Sequence, residues 1–217
     1  SSVAAIIYGH EKDSFNEEDW TDTDAEGCSA YNKSKTYAEK AAWDFINSDE
    51  CNMELSVINP SLVLGPVLES DFGTSVELVK RFLNGGFPLA PNISFGIVDV
   101  RDVAQLHLLA LESPQASGNR FIASSETLAI PLISEFLRKK IPEYQKRLPK
   151  GTAPDFLIKL LGFFSPLMKT VANQLGKTKE LDNSKAKNIL GWQPRSGEEA
   201  VIASAKSLIE FDIVKSP

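Results

Sequence analysis

The chain has 217 residues, 42% hydrophobic and 24% charged, with 29 acidic against 23 basic side chains. A chain of this size buries a sizeable core without disulfide or metal staples, and a net charge of −6 argues against a non-specific nucleic-acid binder. Two cysteines, Cys28 and Cys51, and two histidines make neither a disulfide framework nor a conventional zinc site, so a reducing, cytoplasmic setting is the default.

Residues 2–8 read as a buried strand, a short Val- and Ile-containing apolar run ended by Gly9. Residues 1–28 hold eight acids and one base, and the run between this segment and the next reads as a solvated loop. Residues 29–47 read as a helix capped by Ser29, with Tyr31, Ala38, Ala42 and Phe45 near helical spacing. A second buried strand, 55–58, stops at Asn59-Pro60.

A helix over 74–83 closes at Asn84-Gly85-Gly86. Strand 93–98, helix 100–111, strand 120–124 and helix 130–140 follow. The rest is mainly helical, over 154–161, 166–175, 184–190 and 197–211. Strands alternating with long helices predict an α/β fold with a largely parallel sheet. The helix-rich last third predicts a helical lobe beside it. No basic segment precedes the first apolar run, and the greasy stretch 156–168 is too short to span a bilayer.

The segment Tyr31-Asn32-Lys33-Ser34-Lys35 carries the strongest chemical signal. Tyr and Lys four apart share one helix face. An ammonium beside a phenol favours the phenolate, and a tyrosine so tuned serves as a general acid or base. Alone, such a pair more often marks a surface lysine covering a half-buried tyrosine. Its setting matters: the Ser1-Ser2 pair precedes it and the Pro60 turn follows it. Parallel α/β sheets bind ligands beyond the carboxyl ends of their strands, where all three would meet.

Five stretches then resemble the extended short-chain dehydrogenase/reductases, in the branch of dihydroflavonol 4-reductase, cinnamoyl-CoA reductase and cinnamyl-alcohol dehydrogenase. They are Ser1-Ser2-Val3-Ala4-Ala5, residues 31–43, residues 59–66, Val98-Asp99-Val100-Arg101-Asp102-Val103-Ala104 and residues 182–192. The resemblance implies the C-terminal part of a Rossmann-type doubly wound parallel sheet, residues 1–66 and 93–125, with a mainly helical substrate lobe, 67–92 and 126–217. It implies NAD(P)H-dependent interconversion of an aldehyde or ketone and its alcohol.

By the same resemblance, Ser2 hydrogen-bonds the substrate carbonyl and Tyr31 exchanges the proton. Lys35 assists Tyr31 and holds the nicotinamide ribose. Pro60, Ser61, Leu62 and Val63 face the nicotinamide, and Ser75 lies near the cofactor phosphates. No metal is implied. A homodimer is, through the helices at 29–47 and 74–83. The family's Gly-rich phosphate turn is absent from the sequence, so the chain is expected to be the C-terminal two-thirds of a longer enzyme. The cofactor implied is NADP, with NAD open because the residue reading the 2′ position lies in the absent portion.

Two other readings stand. Nucleotide-sugar epimerases and dehydratases of the superfamily commonly carry Gly where Asn32 stands. A non-catalytic dinucleotide-sensing module would typically lack Tyr31 or Lys35. His10 is expected as a solvated loop residue, His107 as a packed helix residue, and Asp99 and Asp102 as strand-end and helix-cap groups. The cluster Phe156, Leu157, Leu160, Leu161, Phe163 and Phe164 is expected in the core.

Overall fold

The computed structural model describes residues 1–48, 51–165 and 171–217. Its strands are β1 (Ser14–Phe15), β2 (Ser56–Pro60), β3 (Leu62–Leu64), β4 (Ser94–Asp99), β5 (Asn119–Ala123), β6 (Glu126–Ala129) and β7 (Glu180–Leu181). Its helices are α1 (Ala30–Ile46), α2 (Glu77–Leu83), α3 (Val100–Glu112), α4 (Ile130–Lys140), α5 (Asp155–Gly162), α6 (Ser184–Leu190) and α7 (Gly197–Glu210). None of these is long and apolar enough to cross a membrane.

The α/β character holds, and the strands form three small sheets among the described residues. β2 pairs in parallel with β5, Ser56 opposite Asn119 and Pro60 opposite Ala123. The last four residues of β5 are buried without alternation, the pattern of a parallel strand covered on both faces. β3 pairs in parallel with β4, and β4 pairs antiparallel with β6. β1 and β7 pair in parallel.

Two main cores result. One joins Leu64, Val79, Phe82, Ile97, Ile133 and Val201 between the β3–β4–β6 sheet and helices α2, α4 and α7. The other joins Ile58, Leu106, Phe121, Ala186 and Trp192 around β2, β5, α3 and α6. Packing thus crosses the expected lobe boundary. Ile97 enters the first core, and Ala186 and Trp192 enter the second.

Local signals set most helix limits. Ser29 Oγ accepts from Asn32 N at 3.1 Å and starts α1. Asp99 Oδ1 accepts from Arg101 N at 2.9 Å and starts α3. Ser196 and Glu199 form a reciprocal capping box on α7. Gly191, at φ 64, ends α6 in the left-handed region.

Other expectations are corrected. Residues 2–8 are not a strand: Ser2 Oγ accepts from Ala4 N at 3.1 Å and starts a 3₁₀ turn over Val3–Ala5. A short hydroxyl side chain offers the backbone a local partner in place of a ladder. α2 begins only at Glu77, after i→i+3 turns from Gly73 and Thr74. β1, β3, β6 and β7, each two to four residues long, are too short for periodicity to show. The helix expected at 166–175 lies in its first half outside the described residues.

The acidic N-terminal run is not simply solvated, because Glu17 and Thr21 are buried in it. Phe156, Phe163 and Phe164 are exposed, and Ile158 is the buried residue of α5. His107 is exposed too, its ring bonded to the Val103 carbonyl one turn back at 2.8 Å.

Candidate active site

α1 places Tyr31 and Lys35 one turn apart, with the Lys35 ammonium 5.7 Å from the centre of the Tyr31 ring. Tyr31 is 58% exposed. Among the described residues no carboxylate lies in ion-pair contact with Lys35, so its ammonium protons are open to a ligand. A phenol hydroxyl and a three-donor ammonium side by side on an accessible face fit the hydroxyls of a ribose.

The Ser2 turn packs against α1. Asn59 at the end of β2 donates to the Ser2 carbonyl at 3.2 Å, and the Ser1 hydroxyl bonds Glu39 of α1. Ser2 Oγ accepts from Ala4 N. A serine hydroxyl has one donor and two acceptor positions, so its proton remains to be donated.

Pro60 ends β2 opposite Ala123. Ser61 N donates to the Ala123 carbonyl at 3.0 Å, and Leu62 and Val63 continue directly as β3. The predicted turn is therefore a crossing point between two sheets, and the Ser61 N–H is engaged there. Gly96 lies against it: a Cβ at that position would stand 2.8 Å from Ser124 Oγ and 3.1 Å from Ser61 Cβ. Ser75 sits in the turn before α2, its carbonyl accepting from Leu78 N at 3.3 Å. None of the described hydrogen bonds joins it to Ser2, Tyr31 or Lys35.

Beside α1 opens a cleft of about 560 Å³ lined by Tyr8, His10, Cys28, Lys159, Leu175 and Lys179, among others. Tyr31, Lys35 and Ser2 do not line it. Burial, followed by the nearby Tyr31 and Cys28, pushes the Tyr8 phenol above its ordinary value. Lys179 donates to the Ile7 carbonyl at 2.7 Å and stands 4.6 Å over the Tyr8 ring. Burial, and then Lys177, lowers its pKa. His10 Nε2 donates to the Trp20 carbonyl at 2.7 Å on the cleft rim. A separate cleft of about 590 Å³ near Trp192 and Arg195 shares no lining residue with this one and holds none of the predicted residues.

Tyr8 and Lys179 were not signalled as site residues by the sequence. Tyr8 closes an apolar run, and Lys179 lies far along the chain between ordinary polar residues.

Residues 1–123, which contain Ser2, Tyr31, Lys35 and the Pro60 crossing, match the NAD dependent epimerase/dehydratase family. The chain belongs to that family. It is an extended short-chain dehydrogenase/reductase. It is 32% identical over 229 residues to the NADPH-dependent methylglyoxal reductase Gre2 of Saccharomyces cerevisiae, across 98% of this chain and 63% of that protein. A cinnamoyl-CoA reductase of Medicago truncatula is 37% identical over 162 residues, 71% of this chain and 48% of that protein. The crystal structure of yeast methylglyoxal/isovaleraldehyde reductase Gre2 complexed with NADPH superposes with a TM-score of 0.76 at 29% identity, over 98% of this chain and 63% of that one. This family member therefore spans less than two-thirds of the length of those relatives.

Proposed function

We propose that the protein is an NADPH-dependent reductase of small aldehydes or ketones, running in reverse as an alcohol dehydrogenase. The observation that carries this is the Tyr31–Lys35 pair on the open face of α1, beside a Ser2 turn that Asn59 ties to β2. Relatives named as NADPH-dependent or cinnamoyl-CoA reductases support it. Bound NADPH supplies the hydride that reaches the carbonyl carbon. Ser2 donates its free hydroxyl proton as a hydrogen bond to the carbonyl oxygen. Tyr31 gives up its phenolic proton to that oxygen as negative charge develops there. Lys35 holds the ribose hydroxyls and keeps the phenol in line.

Pro60, Ser61, Leu62 and Val63 wall the nicotinamide side, and Ser75 belongs to the phosphate side. Residues 1–66 with 93–125 form the dinucleotide-binding part, residues 67–92 with 126–217 the substrate lobe. The outward residues of α1, Tyr37, Ala38 and Phe45, suit a second copy of the chain.

The test is the full-length protein assayed for NADPH oxidation with methylglyoxal and aromatic aldehydes, and for conversion of UDP- and dTDP-sugars. Aldehyde-dependent oxidation lost in Tyr31→Phe supports the proposal. Sugar conversion without aldehyde reduction overturns it in favour of an epimerase, and NADPH binding without turnover in favour of a sensing module.

A further inference from the structure

α1 turns a polar face inward. Its buried residues are Asn32, Thr36 and Glu39, while Tyr31, Tyr37 and Phe45 are more than half exposed. Glu39 has the widest reach of the three. Its Oε1 accepts from Arg120 Nε on β5 at 2.5 Å, and its Oε2 accepts from Asn59 Nδ2 on β2 at 2.7 Å. The Ser1 hydroxyl bonds the same Oε2. One helix side chain thus touches both strands of the β2–β5 sheet and the neighbour of Ser2.

Arg120 is itself pinned from the far side. Its Nη1 donates to the Glu17 and Asp19 carbonyls, both at 2.7 Å, and its guanidinium lies 3.9 Å from the Trp20 ring centre. The ion pair is almost wholly buried, with side-chain exposures of 8% for Arg120 and 1% for Glu39. Arg120 Nη2 and Asn59 Oδ1 beside it have no partner. A buried pair with unmatched atoms is poor stabilisation, since apolar residues of like volume often serve packing as well or better. What the carboxyl adds is direction: three donors from three segments allow one rotation and one height of the helix.

We propose that Glu39 is the positioning residue for Tyr31 and Lys35, locking α1 onto β2 and β5 through Asn59 and Arg120. The inference rests on the reading that Tyr31 and Lys35 carry the chemistry. Glu39 lies one turn beyond Lys35 and two beyond Tyr31, so the phenol stands roughly 12 Å along the axis from the anchor. A small tilt at Glu39 is magnified at the phenol, and a misplacement of about 1 Å can cost ~10²-fold in rate.

The test uses the full-length protein with Glu39→Asp, which keeps the charge and shortens the reach by one carbon. With NADPH and the aldehyde turned over fastest, kcat falls about tenfold or more, while KM for the aldehyde stays within about twofold and the thermal midpoint within a few degrees. Arg120→Lys approaches the bridge from β5, and it carries the test if the Asp variant does not fold. The two losses in kcat are non-additive in the double variant, because the pair acts as a unit. Unchanged kcat in the folded single variants, additive losses, or a fall in stability with kcat per folded molecule intact overturns the proposal. Tyr31→Phe run alongside separates the two readings. If it is inactive while Glu39→Asp is wild-type, the positioning role alone fails; if it keeps full turnover, both fail.

Discussion

The Lys35 ammonium stands 5.7 Å from the centre of the Tyr31 ring, one helical turn away on the same exposed face of α1. Lys33 and Tyr37 repeat the spacing on α1, but among the described residues the lysine–tyrosine ring contact within the helix is that of Lys35 and Tyr31. Tyr31→Phe removes the phenolic proton and hardly changes shape. Turnover of the full-length protein should fall by ~10²–10⁴, the range for loss of a positioned acid, with NADPH affinity measured by fluorescence titration little altered. Turnover near the wild-type rate would remove Tyr31 from the mechanism.

Glu17 is buried beneath the acidic N-terminal run, and its Oε1 accepts from Ile122 N at 2.9 Å. Burial raises its pKa; the Ile122 bond and Lys185 oppose that rise, and Asp182 adds to it. A raised carboxyl pKa means the native state holds the proton at higher pH than the unfolded chain does. Stability from this group is present below the unfolded value and is lost as pH rises through the folded one. Glu17→Gln keeps an acceptor for Ile122 and removes the titration. Its thermal midpoint at pH 7 should equal or exceed wild type, and the advantage should vanish on acidification below the ordinary Glu range. A lower midpoint at pH 7 would contradict this.

Asp102 is buried at the start of α3. It accepts from Arg195 N at 2.7 Å and pairs with the Arg195 guanidinium, while its carbonyl accepts from Trp192 Nε1 at 3.0 Å. It is not the helix cap, which is Asp99; its carboxylate instead staples α3 to the segment leading into α7. Asp102→Asn leaves the Arg195 guanidinium without its counter-charge and should cost about 1–3 kcal/mol. Urea denaturation checks the magnitude, and a loss under about 0.5 kcal/mol, the usual range for an ordinary surface change, would show the staple to be idle.

Gly65 has φ 117, and a Cβ there would stand 2.9 Å from Asp99 Oδ1 and 3.0 Å from Val100 Cγ1. Its N–H donates to Ser204 Oγ at 2.7 Å, so the backbone cannot retreat without releasing α7. Gly65→Ala combines backbone strain with a clash against a buried carboxyl and should destabilise by about 1–3 kcal/mol. Calorimetry of the variant gives the check, and an unshifted midpoint would mean the loop adjusts freely.

The sequence by itself determined what depends on neighbours a few residues away. The Ser29 cap, the limits of α4 and α6 and the Val100 start of α3 were legible, because caps and helical periodicity act within one or two turns, whereas Asp99, read as a strand-end group, is the cap of α3. The Tyr31–Lys35 pair was legible for the same reason, since spacing alone puts both on one face.

Tertiary structure decided which faces are buried. Of the α1 residues noted at helical spacing, Tyr31 and Phe45 point outward, while Asn32, Thr36 and Glu39 go in. Periodicity reports that a helix has two faces but not which one meets a sheet. That depends on partners such as Arg120, 81 residues from Glu39, and Asn59, 57 residues from Ser2. The Ser2 run is a turn, with the Ser2 hydroxyl accepting locally from Ala4 N. The cleft beside Tyr8 is lined also by the remote Lys179, which folds back onto the Ile7 carbonyl. A side chain at that sequence distance leaves no local signal, and chain closure alone brings it there.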